Sequence, residues 1–176
     1  MYSKRRLLHM AKSRQFIQGI IDQHQQISNN SCIPSAVEMI LKLLEKAPVS
    51  YYDLQNAWAT NGSFANFDEQ TILGVTFHRI NLANRGADFP LNQLFEIIDQ
   101  ELAANRYVAI ALSGMSGTEP CFHAYVVFDK DQPTLDYVAV TKASTNGAYV
   151  TQFDMNIKAR VREIQGTDIL VYTVPT

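Results

Sequence analysis

Apolar residues recur every three to four positions over roughly the first two thirds of the chain, which is the spacing of helices that bury one face. Two segments carry this pattern over several turns: Val37, Ile40, Leu41 and Leu44, and then Leu91, Leu94, Phe95, Ile98 and Leu102. The first helix is predicted to begin at Ser31 or Cys32, with Pro34 in its first turn and Pro48 beyond its end. The second is predicted to run from Pro90 to about Asn105.

Two shorter helices are predicted between these. Ser50 can cap a helix that extends to Trp58, and Asp68 can cap another that ends at Gly86. The apolar residues of the latter are Ile72, Leu73, Phe77 and Ile80. The segment from Phe16 to Ile27 fits either a helix or an extended chain.

After residue 105 the apolar spacing changes to two, in stretches rich in β-branched and aromatic residues. Helices followed by strands, without regular alternation, predict an α+β fold with an antiparallel sheet. We expect one domain over 1–176, with a helical half at about 13–105 and a sheet half at about 106–175. The predicted strands are Tyr107–Leu112, Phe122–Phe128, Leu135–Thr141, Ala148–Phe153, Arg160–Gln165 and Ile169–Val174.

Composition narrows the classes of function. The 176 residues carry a formal charge of −2 with a pI near 6.1, which disfavours nucleic acid as a partner. No apolar run is long enough for membrane insertion or a signal peptide, so a cytoplasmic location is expected. Two cysteines cannot make a disulfide-rich scaffold. No glycine-rich phosphate loop or metal-binding motif occurs, so neither a cofactor nor a metal is expected; Cys121 and His123 share a strand face without further ligands.

Cys32 lies where the first strong helix is predicted to begin, directly after the polar run Ser28–Ser31. Free N–H groups and the positive end of the helix dipole favour a thiolate at such a position. The sequence therefore offers Cys32 as a nucleophile, and a small buried cysteine is the alternative. His123 begins a predicted strand, at an edge of the sheet where it can meet this helix; a hydrogen-bonded structural histidine is the alternative there.

Gln26, Cys32 and Pro34 are spaced as Gln-x5-Cys-x-Pro, and a His-x-hydrophobic-Val-Val segment follows far downstream at His123. This arrangement resembles the papain-like cysteine peptidases, and within them the C39 type that processes bacterial leader peptides. The usual motif has glycine where this chain has Ile33. The resemblance implies a papain-like fold, with the helical half packed on the sheet, and a peptide or protein substrate.

The resemblance also implies roles for individual residues. Cys32 would form an acyl-enzyme, His123 would act as its base, and the Gln26 amide would join the Cys32 N–H in an oxyanion hole. Related enzymes place Asp or Asn on the next strand to orient the histidine. Here a hairpin turning about Gln132 puts Thr141 opposite His123, and Asn146 in the following loop is the runner-up.

Three functions stay open on this reasoning. The first is peptide hydrolysis through a Cys–His acyl-enzyme. The second is deamidation or transglutamination of glutamine side chains, which passes through the same thioester. The third is peptide binding without catalysis, because the usual Asp or Asn partner of the histidine is missing.

Overall fold

The computed structural model describes residues 12–61, 66–116, 119–145 and 148–173. They form five helices and seven strands in an α+β arrangement. The helices are α1 (Arg14–Gln23), α2 (Cys32–Leu43), α3 (Asp53–Asn61), α4 (Leu91–Ala103) and α5 (Ile157–Glu163). The strands are β1 (Gln70–Ile72), β2 (Val75–Ile80), β3 (Val108–Ser116), β4 (Glu119–Lys130), β5 (Tyr137–Thr145), β6 (Ala148–Asp154) and β7 (Ile169–Thr173).

The strands form one open sheet in the order β1-β2-β7-β3-β4-β5-β6, and every neighbouring pair is antiparallel. Val126 and Val127 are adjacent on β4 and enter two different clusters of buried residues, because successive side chains on a strand point to opposite faces. The cluster on one face includes α2 residues such as Val37, and the cluster on the other includes Leu94 of α4 and Val161 of α5. Helices therefore cover both faces of the sheet.

The helix predicted from Asp68 is wrong: the structure has the β1–β2 hairpin there. Ile72 pairs with Val75 across a two-residue turn at Leu73 and Gly74. Both turn residues have positive φ, 49° and 76°, as in the tight turns that match strand twist. Glycine adopts that conformation without steric cost, so Gly74 is the local signal for a hairpin.

The strand predicted at Arg160–Gln165 is also wrong, because α5 occupies most of that stretch. Ile157, Val161 and Ile164 recur at helical spacing and pack in or against the α4-side cluster. Gln165 and Gly166 then turn the chain with positive φ values of 56° and 135°. The predicted division into a helical half and a sheet half is therefore not strict. Strands β1 and β2 lie in the predicted helical half, and α5 lies in the predicted sheet half.

The helices predicted to begin at Ser31 or Cys32 and at Pro90 are present as α2 and α4, and the helix predicted from Ser50 to Trp58 is present but shifted along the chain, as α3. The ambiguous segment after Phe16 divides: α1 ends at Gln23, and the chain continues without regular structure up to α2. Among the described residues, no helix combines the length and apolar character needed to cross a bilayer.

Candidate active site

Cys32 is the first residue of α2, and its side chain is partly exposed. The preceding residue, Ser31, occupies the N-cap position but makes no side-chain cap hydrogen bond. Its hydroxyl instead donates to Gln55 Oε1 at 2.7 Å. An α-helix leaves its first N–H groups without intrahelical acceptors. Within the described residues, no hydrogen bond engages the N–H groups of Cys32 or Ile33, so two donors remain beside the sulfur.

Gln55 of α3 holds the segment that leads into Cys32. Its amide nitrogen donates to the Gln25 carbonyl at 2.9 Å, and its Oε1 accepts from the Ile27 N–H at 2.8 Å. The same amide nitrogen donates to Glu38 Oε2 at 2.7 Å, which ties the segment to the body of α2. Gln55 and Glu38 are both fully buried. This one side chain therefore fixes the approach to the start of the helix.

His123 lies where the regular pairing of β4 with β5 stops. Among the described residues, the last pair is Val126 with Val140. Beyond it, His123 Nε2 lies 3.1 Å from the Lys142 carbonyl oxygen. A carbonyl can only accept, so Nε2 carries the proton, and Nδ1 is the unprotonated nitrogen of the neutral ring. Burial lowers the pKa of His123, and the bond to Lys142 opposes that shift. Burial therefore favours the neutral ring over the imidazolium.

The role predicted for Thr141 is wrong in this structure. Its hydroxyl donates to the Ala124 carbonyl at 2.6 Å, not to the imidazole. The register explains the difference, since the hairpin predicted about Gln132 pairs Val126 with Val138, whereas the structure pairs Val126 with Val140. A longer connection absorbs the shift: Asp131 N–H donates to the Asp136 carbonyl. The Lys142 carbonyl takes the orienting position that sequence reasoning gave to a side chain.

Gln26 also differs from its predicted role as an oxyanion donor. Its amide nitrogen donates to the carbonyls of Ser28, at 2.9 Å, and Asn29, at 3.1 Å. Both hydrogens of the amide are therefore engaged, and the side chain is only 1% exposed. Gln26 therefore stabilises the loop before Cys32. The donors beside the sulfur are the free N–H groups at the start of α2.

A cavity of about 450 Å³ brings the predicted nucleophile and base to one place. Cys32 and Ala36 of α2 line one side, and His123 and Ala124 of β4 lie beside them. The lining continues over β3 and β7, and Asp68, Arg79 and Asp168 are among its charged members. Cys32 thus lines a cleft large enough to admit a short chain segment.

Cys32 and His123 both line this cavity. Both side chains are described, and no hydrogen bond joins the thiol to the imidazole. The His123 ring packs edge to face with Tyr125, at 6.1 Å between ring centroids, and Tyr125 belongs to the cluster on the α4 side. The His123 side chain therefore leaves β4 on the same face as Tyr125, opposite the face that α2 covers, and its ring reaches the Lys142 carbonyl across the opening between β4 and β5. Catalytic hydrogen bonds are often long before substrate binds.

A buried polar cluster lies behind the start of α2. The Lys42 ammonium donates to His24 Nδ1 at 2.9 Å, and His24 Nε2 donates to the Ser35 carbonyl at 2.9 Å. Lys42 Nζ also lies 3.7 Å from the centroid of the Tyr52 ring. Burial lowers the pKa of His24 to about 3, assisted by Lys42, and lowers the pKa of Lys42 to about 8. Burial raises the pKa of Glu38.

Acid is expected to destabilise the protein through His24. The unfolded histidine takes up a proton near pH 6.5, whereas the folded one does so only near pH 3. Between these values the unfolded state binds more protons. The free energy of unfolding therefore decreases as pH is lowered, by at most about 1.4 kcal/mol per pH unit. Urea unfolding at pH 7 and pH 5 measures this slope.

His24→Gln is the matched variant, because its amide can still donate to Ser35 but does not titrate. Its slope between pH 7 and pH 5 is expected to be flatter than that of the natural protein. Glu38 acts in the opposite direction in both proteins, since a raised carboxyl pKa favours the folded state as pH falls. Equal slopes in the two proteins would refute the role of His24.

The predictions made for Cys121 and Asn146 concern residues of which little is described. The Cys121 side chain and the whole of Asn146 lie outside the described part of the chain. Within the described part, no group of three or more His, Cys, Asp or Glu residues is placed to hold a metal ion.

Sequence reasoning missed Gln55, the Lys142 carbonyl and the charged end of the cleft at Arg79. A glutamine in a short helix reads as a solvated residue, and a backbone carbonyl leaves no sequence signal. Arg79 was missed because the sequence predicted a helix there. Its position on β2 is what brings it to the cleft.

No protein-family model matches this chain, and neither a curated protein nor a solved structure does so.

Proposed function

We propose that the protein is a papain-like thiol hydrolase that cleaves peptide bonds at Cys32. The observation that supports this most is the shared cavity, which is lined both by a partly exposed cysteine at a helix start and by a histidine whose Nδ1 is free to accept a proton. A nucleophilic thiol needs both an adjacent base and donors for the developing oxyanion. The N–H groups of Cys32 and Ile33 supply the donors.

The proposed reaction has two steps. His123 Nδ1 takes the thiol proton, Cys32 Sγ forms a bond to the peptide carbonyl carbon, and the C–N bond breaks as the amine leaves with that proton. Water then loses a proton to Nδ1 and attacks the thioester, which releases the acid and restores the thiol. The Lys142 carbonyl holds the opposite nitrogen and favours the required tautomer throughout.

A second candidate is a peptide-binding protein that uses the same cleft without turnover. The observations that favour it are the missing thiol–imidazole hydrogen bond and the uncharged partner of His123. A carbonyl orients the imidazole but supplies no negative charge to stabilise an imidazolium.

Mass spectrometry of a mixed peptide pool incubated with the protein tests the proposal. We expect new chain ends with the natural protein and none with Cys32→Ala. Uncleaved glutamine peptides heavier by about one dalton would instead identify a side-chain deamidase, through the same thioester. Unchanged peptides that nevertheless remain bound in the cleft would contradict turnover and favour the binding protein.

A further inference from the structure

The charged end of the cleft has a fixed place in the sheet. Ala124 of β4 pairs with Ala111 of β3, Ala109 of β3 pairs with Leu170 of β7, and Leu170 pairs with Arg79 of β2. Residues directly opposite each other on neighbouring strands share a face, and Ala109 and Ala111 share a face because they are two apart. The cleft floor therefore leads from β4, beside the cysteine, across to Arg79.

The distance from β4 to Arg79 along this row follows from sheet geometry. Neighbouring strands lie about 4.8 Å apart, so three spacings separate β4 from β2 by about 14 Å. The step from Ala111 to Ala109 adds about 7 Å along the strands, which makes the row about 16 Å long. An extended peptide advances about 3.3 Å per residue. A chain lying along the floor with its attacked carbonyl at Cys32 would therefore bring a residue four or five positions away to Arg79.

The hydrogen bonding at this end leaves cationic donors available. Arg79 is 49% exposed, and among the described residues its guanidinium makes one hydrogen bond, to Asp168 Oδ1 at 3.3 Å. A guanidinium has five N–H donors. The other oxygen of Asp168 accepts from Arg85 at 2.9 Å, so one carboxylate is shared between two arginines. The Asp68 carboxylate accepts from the Arg79 backbone N–H at 2.7 Å.

We propose that Arg79 binds a carboxylate of the substrate, four or five residues from the attacked carbonyl. The carboxylate is an acidic side chain or a chain end, and the geometry suits bidentate pairing with the guanidinium. This inference rests on the proposed function, because Cys32 fixes where the count of residues begins. Arg79 acts here as a specificity-determining residue and takes no part in the chemistry at sulfur.

Two series of reactive alanine peptides test the proposal, one with an amino-terminal chloroacetyl group and one with a carboxyl-terminal vinyl sulfone. Each series carries Glu, Gln or Lys at the fourth or fifth residue from the reactive group, and intact mass follows the labelling of Cys32. In the series whose chain direction places the Glu side chain at Arg79, we expect Glu peptides to label Cys32 about tenfold faster than Gln peptides. A tenfold ratio corresponds to the free energy of one charge-assisted hydrogen bond. Arg79→Gln should reduce that ratio to about one.

Arg14→Gln is the matched control, because Arg14 is exposed and pairs with Asp129 away from this cleft. It should keep the Glu preference, and Arg79→Lys should keep part of it. Equal rates for Glu and Gln in both series, or faster labelling by Lys peptides, would overturn the carboxylate site.

Failure of the site and failure of the proposed function give different results. Iodoacetamide carries no peptide, so rapid labelling of Cys32 without a Glu preference would reject only the site. If Cys32 reacts no faster than a free cysteine, fluorescence anisotropy with Cys32→Ala measures binding of the same alanine peptides without their reactive groups. Tighter binding of Glu than Gln peptides, lost when Arg79→Gln is added, would then support the site, and equal affinities would overturn it.

Discussion

Cys32→Ala is expected to lower peptide hydrolysis by a factor on the order of 10⁴ or more, because it removes the atom that forms the acyl-enzyme. His123→Gln is expected to lower kcat by about 10² to 10⁴, the usual contribution of a general base. A glutamine amide can still donate to the Lys142 carbonyl, so this variant keeps the strand contact and loses the proton acceptor. Initial rates on a peptide cleaved by the natural protein measure both effects.

Cys121→Ser is the control for the thiol assignment. The chain has two cysteines, and this variant should keep both the hydrolysis and the labelling by iodoacetamide at neutral pH. Labelling confined to Cys121 in the natural protein would show that Cys32 is not the reactive thiol. Full activity in His123→Gln would show that His123 is not the base. Another group would then have to accept the proton of the Cys32 thiol.

Gln55→Leu is expected to lower the free energy of unfolding by about 3 to 4 kcal/mol. The substitution keeps the approximate volume but removes the bonds that the side chain makes to Glu38 Oε2, the Gln25 carbonyl and the Ile27 N–H. Each unsatisfied buried group costs about 1–3 kcal/mol, and a charged group costs more. Urea unfolding at pH 7 measures the loss, and Gln100→Leu, on the exposed side of α4, should change stability little.

Gln55→Glu provides a second reading of the same contact. It places a carboxyl group against Glu38 in a buried position, where two like charges are unfavourable. We expect the difference in stability from the natural protein to shrink as pH is lowered, because protonation of one carboxyl removes the repulsion. A constant difference between pH 7 and pH 5 would mean that Gln55 does not face Glu38 as described.

The sequence predicted those elements whose pattern is long and regular. The face of α2 from Val37 to Leu44 and the face of α4 beginning at Leu91 needed only helical periodicity. The two incorrect elements, at 68–86 and 160–165, are short stretches in which apolar spacing suits both helix and strand. Gly74 and Gly166 decide them in the structure, since each turns the chain with a positive φ.

The candidate site could be predicted only in part, because its contacts depend on register. The sequence identified Cys32 and His123 from residue type and position, and the structure places both on one cavity. The orienting partner of His123 was mislocated because the connection between β4 and β5 is longer than a tight turn. Gln26 and Gln55 show a related difficulty: two glutamines look alike in sequence, yet one braces a loop and the other joins three buried segments.

The alanines at 109, 111 and 124 give the β3–β4 part of the cleft floor three side chains that have no rotamers to rearrange. A ligand lying on them would freeze little protein motion, so most of the entropy lost on association would come from the ligand's own backbone. Cyclised or proline-stiffened inhibitors already held in extended form should therefore gain more affinity here than in a pocket lined by leucine or methionine.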